Sequence, residues 1–301
     1  MKINKQTIDG IYTILTPEKR IPLLLDSPHG GAHITKDFQY SCDKELIRKS
    51  IEFYLDELYE DSIQNGATFL KAEFIRSYID PNRSEYDIDD KLFMHPWPYK
   101  SLPTKKSTAG IGLIRRIIAP NTPIYKHKLT HQEAKCRIEH FYKPYHKSLK
   151  NNLEQLHKEF GSVYHINCHS MPSSIFTGHG SHLLSRPVTS NQPDFILGNI
   201  DGKTCSEDFI HFCKNILKSQ GFKVYINKIY KGADIVKKYG NPNKNKHSMQ
   251  IEINRSIFMN ETTLKKSKDF KKIKETLNIL TKEISDYIQH KTDLEQQKCA
   301  E

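Results

Sequence analysis

Short apolar runs alternate along the chain with longer stretches in which apolar residues recur every three or four positions. The short runs predict strands at residues 21–25, 68–72, 74–79, 162–167, 222–227 and 248–254. Between them, 44–64 predicts one helix with Leu46, Ile47, Ile51, Leu55 and Leu58 on a face, stopped by Gly66. Thr130 with Glu133 has capping-box spacing and opens a helix whose apolar line runs Phe141, Tyr145, Leu149, Leu153, Leu156 and Phe160, with a kink expected at Pro144. A second such pair, Thr204 with Glu207, starts a helix ending at Gly221. Phe270, Ile273, Leu277, Leu280, Ile284 and Tyr287 line a last helix that should pack on the rest.

This rhythm predicts an α/β fold with a central mixed, largely parallel sheet, and 301 residues are read as a single domain spanning 1–301. Residues 84–129 break the rhythm, carrying Pro96, Pro98, Pro103, Pro120 and Pro123 with little periodicity. That excursion is either a lid over a substrate or a passive surface loop. No internal repeat interrupts the pattern.

Composition narrows the possibilities. No apolar run reaches the length of a membrane span and no secretory leader is evident, so a cytoplasmic protein without membrane partners is expected. Six widely separated cysteines without a C-x-x-C pair predict free thiols. A net charge of +11 invites a nucleic-acid reading, but only nine of the 46 basic residues are arginine and the lysines are dispersed, so no nucleic-acid partner is expected.

Four predicted strands end in polar clusters. "LLLDSPHGG" delivers His29, "FIRSYIDPNR" delivers Asp80, Asn82 and Arg83, "VYHINCHSMPS" delivers His169 and Ser170, and "MQIEINR" carries Glu252 and Arg255. Ligands of open α/β sheets bind beyond the carboxyl ends of the strands, so the four can share one site. Singly each is weak: a lone His is often a turn residue, and Gly30 and Gly31 could serve only a positive φ. Together, two histidines and a carboxylate suit a catalytic zinc with a position left for water. A second carboxylate suits a general base, and an Asn-Arg pair suits a substrate carboxylate. A thiol mechanism fits poorly, because Cys168 and His169 on one strand would face opposite ways, and no G-x-S-x-G elbow exists for Ser170.

At these residues the sequence resembles the N-formylglutamate amidohydrolase family, through "SPHGG", "DPNR", "YKPYH", "INCHSMPS", "DFILGNIDGKTC", "YKGADIVKKYG" and "QIEINRSIFM" taken in order. The resemblance implies a three-layer fold like that of the zinc carboxypeptidases and a metal-dependent hydrolase releasing an acyl group from an N-acyl amino acid, its small-molecule partner. By position, His29 and His169 look like zinc ligands, Asp80 like the aspartate that orients a ligand histidine, Asn82 and Arg83 like the carboxylate-binding pair, and Glu252 like the general base. The glutamate expected three residues after the first His is replaced by Ala32. Glu52 is the substitute third ligand, ahead of Asp56 or His33.

Two departures stand out. The family's K-G-G becomes Lys231, Gly232, Ala233, in a loop expected to meet substrate, and the acid of "DCHS"-type sequences is Asn167. The expected chemistry is zinc-activated water attacking an amide carbonyl, with Arg115 or Arg116 on the oxyanion and Arg255 as a further substrate contact. His146 has a core or a catalytic role. A zinc peptidase on a larger peptide-like substrate and a binding protein without catalysis are the alternatives.

Overall fold

Successive residues of one strand divide between two cores. In the computed structural model, which describes residues 2–119, 122–173 and 192–300, the strand β3 (Leu23–Ser27) sends Leu23 and Leu25 into one apolar cluster and Leu24 into another. Alternation of this kind needs apolar cover on both faces of a sheet. The remaining strands are β1 (Ile3–Ile8), β2 (Tyr12–Pro17), β4 (Thr68–Ala72), β5 (Ile117–Ala119), β6 (Thr122–Pro123), β7 (Val163–Met171), β8 (Phe195–Gly198), β9 (Val224–Ile226) and β10 (Lys246–Asn254). Helices are α1 (Lys44–Arg48), α2 (Leu55–Tyr59), α3 (Lys105–Thr108), α4 (His131–Arg137), α5 (Lys143–Phe160), α6 (Glu207–Ser219), α7 (Asp234–Tyr239) and α8 (Phe270–Ala300).

Eight strands form one mixed sheet in the order β1-β2-β4-β3-β7-β10-β8-β9. Its centre, β4-β3-β7-β10, is parallel, β9 runs parallel to β8, and the other pairings are antiparallel. Leu55, Phe209 and Leu277 bring α2, α6 and α8 onto one face, while Ile47, Leu149 and Ile235 bring α1, α5 and α7 onto the other. The mixed, largely parallel α/β sheet expected from the sequence is therefore present. Among the described residues no helix is long and apolar enough to cross a membrane. Cys42, Cys136, Cys168, Cys205 and Cys213 are free thiols, and the Cys299 side chain lies outside the described part.

Three local expectations are corrected. The helix over 44–64 is broken into α1, α2 and a 3-10 turn at Glu60–Asn65, because the Glu52 N–H leaves the helical ladder to bond the His29 carbonyl and Tyr54 turns left-handed at φ 68°. Gly66, at φ 87°, does stop the run. Residues 74–79 are a turn rather than a strand: Phe74 makes one isolated bridge to His33, and Phe74, Ile75, Tyr78 and Ile79 pack into the core without alternation. The Thr204–Glu207 box does not form, since Ser206 precedes α6 while Glu207 meets the Asn199 amide. Ahead of Pro144, which has no N–H to give, the chain takes a π turn over Ile138–Tyr142.

The excursion over 84–129 is also more ordered than its sequence implies. It holds a 3-10 turn at Asp90–Leu92, the capped helix α3 and the β5-β6 hairpin. Pro120 lies outside the described residues.

Candidate active site

Parallel β3, β7 and β10 end at the same edge of the sheet. His29 follows β3 by two residues, His169 lies near the end of β7, and Glu252 of β10 stands opposite His169 in the ladder. Gly30 and Gly31 earn their place by close approach and not by positive φ. A Cβ on Gly31 would sit 2.4 Å from the Glu73 carbonyl carbon, and one on Gly30 would sit 2.7 Å from Asp56 Oδ1.

The break between α1 and α2 delivers Glu52 to the two histidines. Its Oε1 lies 2.9 Å from His29 Nδ1 and its Oε2 lies 3.2 Å from His169 Nδ1, and the ligand-competent atoms of the three lie within 4.8 Å of one another. All three side chains are buried. Arg76 Nη1 and the Ser170 N–H also donate to Glu52. Burial alone would raise the Glu52 carboxyl, but His169 and His29 hold it well below the usual carboxylate range.

The far nitrogen of each histidine is fixed by its own partner. His29 Nε2 is 2.7 Å from Asp80 Oδ1, and Asp80 in turn accepts from Arg76 and from the Asn82 N–H. Burial opposes ionisation of Asp80, yet Arg76 and His29 keep it well below its ordinary range. His169 Nε2 is 2.7 Å from Asn167 Oδ1, whose amide nitrogen donates to Asp26 Oδ1 at 2.7 Å. Asp26, held ionised against burial by His165 and Asn167, only accepts, so the Asn167 oxygen must face His169 and take its Nε2–H. That leaves the Nδ1 lone pair of His169 aimed at Glu52. Asn82 Oδ1 accepts from the Ile235 N–H of α7, which turns the Asn82 amide nitrogen toward the same pair; with Nε2 of His169 protonated, its acceptor there is Asn167 Oδ1, at 3.4 Å.

Two imidazole nitrogens and one carboxylate, with outer partners on the far nitrogens, fit the donor chemistry of a divalent transition-metal ion. They border a cavity of about 700 Å³. Glu252 lines it, accepting from Gln250 Nε2 at 2.7 Å. Burial pushes the Glu252 carboxyl up to about 7 against the attraction of His169, with negative Glu52 adding to the rise.

Other expected residues are distributed unevenly. Arg83 lines the cavity, with its guanidinium on the carbonyls of Asn82 and Ile111; it follows a turn and not a strand end. Arg115 also lines it, 3.6 Å from Asp80 Oδ2, and is pushed down to about 9 by desolvation and then by Arg76. Arg116 is held by Asp89 instead. Arg255 donates to Ser170 Oγ at 3.0 Å. Lys231 borders the cavity, but its ammonium pairs with exposed Asp201. Asp56 pairs with Lys71, and neither it nor His33 joins the His29–Glu52–His169 group. His146 is a core residue held by Pro81 O and Tyr239 OH, and Cys168 packs in the core of the opposite face. Sequence reasoning missed Arg76, although its spacing of four from Asp80 was a signal, and Asp26 and Lys106, for which no local pattern exists.

A family model described as N-formylglutamate amidohydrolase matches residues 21–259. An N-formylglutamate deformylase of Pseudomonas putida is 28% identical over 247 residues, covering 81% of this chain and 84% of the relative. Its namesake in Pseudomonas aeruginosa is 26% identical over 250 residues, covering 80% and 84%. The crystal structure of N-formylglutamate amidohydrolase from Ralstonia eutropha JMP134 superposes with a TM-score of 0.88 at 35% identity, covering 93% of this chain and 99% of that one. With its fold shared along nearly the whole length of that structure, the chain belongs to the N-formylglutamate amidohydrolase family, whose named members are amide-cleaving hydrolases.

Proposed function

We propose that this chain hydrolyses the formyl amide of an N-formyl amino acid, N-formyl-L-glutamate first among them, using a divalent metal ion, zinc by choice of ligands, held by His29, Glu52 and His169. The observation that carries the reading is the convergence of two histidine Nδ1 atoms on Glu52 with Glu252 one strand away. The metal, when bound, lowers the pKa of water and polarises the amide carbonyl.

The chain's own groups do the rest. Glu252, poised near neutrality, takes the proton from the attacking water and passes it to the amide nitrogen as the C–N bond breaks, giving formate and a free amine. Arg115, on the cavity wall, faces the charge that develops on the carbonyl oxygen. Asp80 and Asn167 orient the two histidines, while Asn82, Arg83 and Arg255 serve the substrate end of the cavity. Ile111 and Ile117 of the 84–129 excursion form one wall and exclude water there. Formate release from N-formyl-L-glutamate by the purified chain tests the reading; a chain inert toward it but active on N-acyl peptides would favour a peptidase.

A further inference from the structure

The cavity carries more positive charge than its own carboxylates can match. Seven lining residues are cationic and two, Glu52 and Glu252, are anionic. Arg76 is committed to Glu52 and Asp80, Arg115 lies near Asp80, and Lys231 is held by Asp201. Lys49, Arg83, Lys106 and Arg255 have no carboxylate within ion-pair distance among the described residues. Lys49 and Lys106 are exposed at the rim, whereas Arg83 and Arg255 are partly buried, and an occupant with more than one negative group would match this surplus of positive charge.

Two of these cations are held together by the backbone. Arg83 Nε donates to the Ile111 carbonyl, and the Ile111 N–H bonds the Lys106 carbonyl at 2.8 Å. Lys106, on α3, reaches the cavity from an exposed position, where partial desolvation and next the Arg83 charge lower it to about 8 while Asp80 acts the other way. Both side chains line the cavity, and neither is in an ion pair with a carboxylate among the described residues, so together they offer two cations to an anion. Arg255, fixed to Ser170 at the β7–β10 end, is a separate cation on the same cavity.

We propose that Lys106 is a specificity-determining residue that, with Arg83, clamps one carboxylate of a dicarboxylic N-formyl amino acid while Arg255 meets the other. This rests on the proposed function and explains why the amine part of the substrate should be a diacid. Lys106 touches neither the His29–Glu52–His169 group nor Glu252, so it should act on binding and selectivity.

The test compares the parent enzyme, Lys106→Met, Lys106→Arg and the neighbouring surface control Lys105→Met on N-formyl-L-glutamate and on its two mono-amides. Lys106→Met should raise KM for N-formyl-L-glutamate about 10- to 100-fold with kcat little changed, the range for losing one charged hydrogen bond. It should also abolish discrimination against one of the two mono-amides, identifying the clamped carboxylate, and Lys106→Arg should restore it. Unchanged discrimination, equal loss against both amides, or the same effect from Lys105→Met would overturn the proposal. If the parent does not cleave N-formyl-L-glutamate the proposed function fails, and the clamp is judged by calorimetry with glutarate. Binding must weaken at least about 10-fold in Lys106→Met relative to Lys105→Met, and equal affinities would overturn it.

Discussion

Glu252 and His169 stand directly opposite each other in the parallel pairing of β10 with β7. Ladder partners on adjacent strands send their side chains to the same side of the sheet, so a carboxylate raised to about 7 is fixed beside a histidine that faces Glu52. Glu252→Gln keeps the shape and removes the basicity. Turnover should fall by at least ~100-fold with bound metal retained. Because the base acts deprotonated, the parent's rate should drop as pH falls below about 7, and that limb should vanish in the variant. Metal lost with the substitution would make Glu252 a ligand.

Asn167 takes the proton of His169 Nε2 on its oxygen and donates its amide to Asp26, one hydrogen bond behind it. An acid at position 167 should therefore harm. Asn167→Asp sets two buried carboxylates against each other and should lower stability by on the order of 3 kcal/mol, the scale of an uncompensated buried charge. The double exchange Asp26→Asn with Asn167→Asp should recover much of that loss and return metal affinity toward the parent's. Denaturant midpoints and chelator competition measure both, and an Asn167→Asp chain as stable as the parent would refute the relay.

His146 predicts part of the acid sensitivity. Burial, with Lys238 adding to it, holds His146 at about 3, and burial with Lys291 holds His247 at about 4. Below about 6.5 the unfolded chain takes up protons that the native chain refuses, so stability is present at neutral pH and falls as pH drops toward those values. The slope should approach about 1.4 kcal/mol per pH unit for each histidine. His146→Gln should reduce the stability difference between pH 7 and pH 5 in urea unfolding. Equal losses in variant and parent would remove His146 from the account.

Much of the frame was legible because buried parallel strands are short apolar runs. Residues 68–72 coincide with β4, and the strand ends at His169 and Glu252 stood out as apolar runs meeting polar clusters. What was hidden depends on contacts distant in sequence. The break that delivers Glu52 arises from a backbone bond to His29, and nothing in the amphipathic run of 44–64 betrays it. All six residues of β1 are exposed, so no apolar period marks that edge strand. The run 74–79 is as apolar as a strand, yet it turns to place Arg76 and Asp80 beneath His29. Asp26 sits inside a strand that reads as hydrophobic, and its partners Tyr145, His165 and Asn167 come from later elements.

The central claim is a divalent metal held by His29, Glu52 and His169, and metal content measured together with formate release tests it most directly. The purified chain should hold about one equivalent of zinc or another divalent ion. It should lose both metal and formate release from N-formyl-L-glutamate on chelation, and regain both when the ion is returned. His29→Ala and His169→Ala should remain folded, since neither side chain belongs to the apolar clusters that build the core, and should neither bind the ion nor release formate. Full activity after exhaustive chelation, or full occupancy in either alanine variant, would contradict the account.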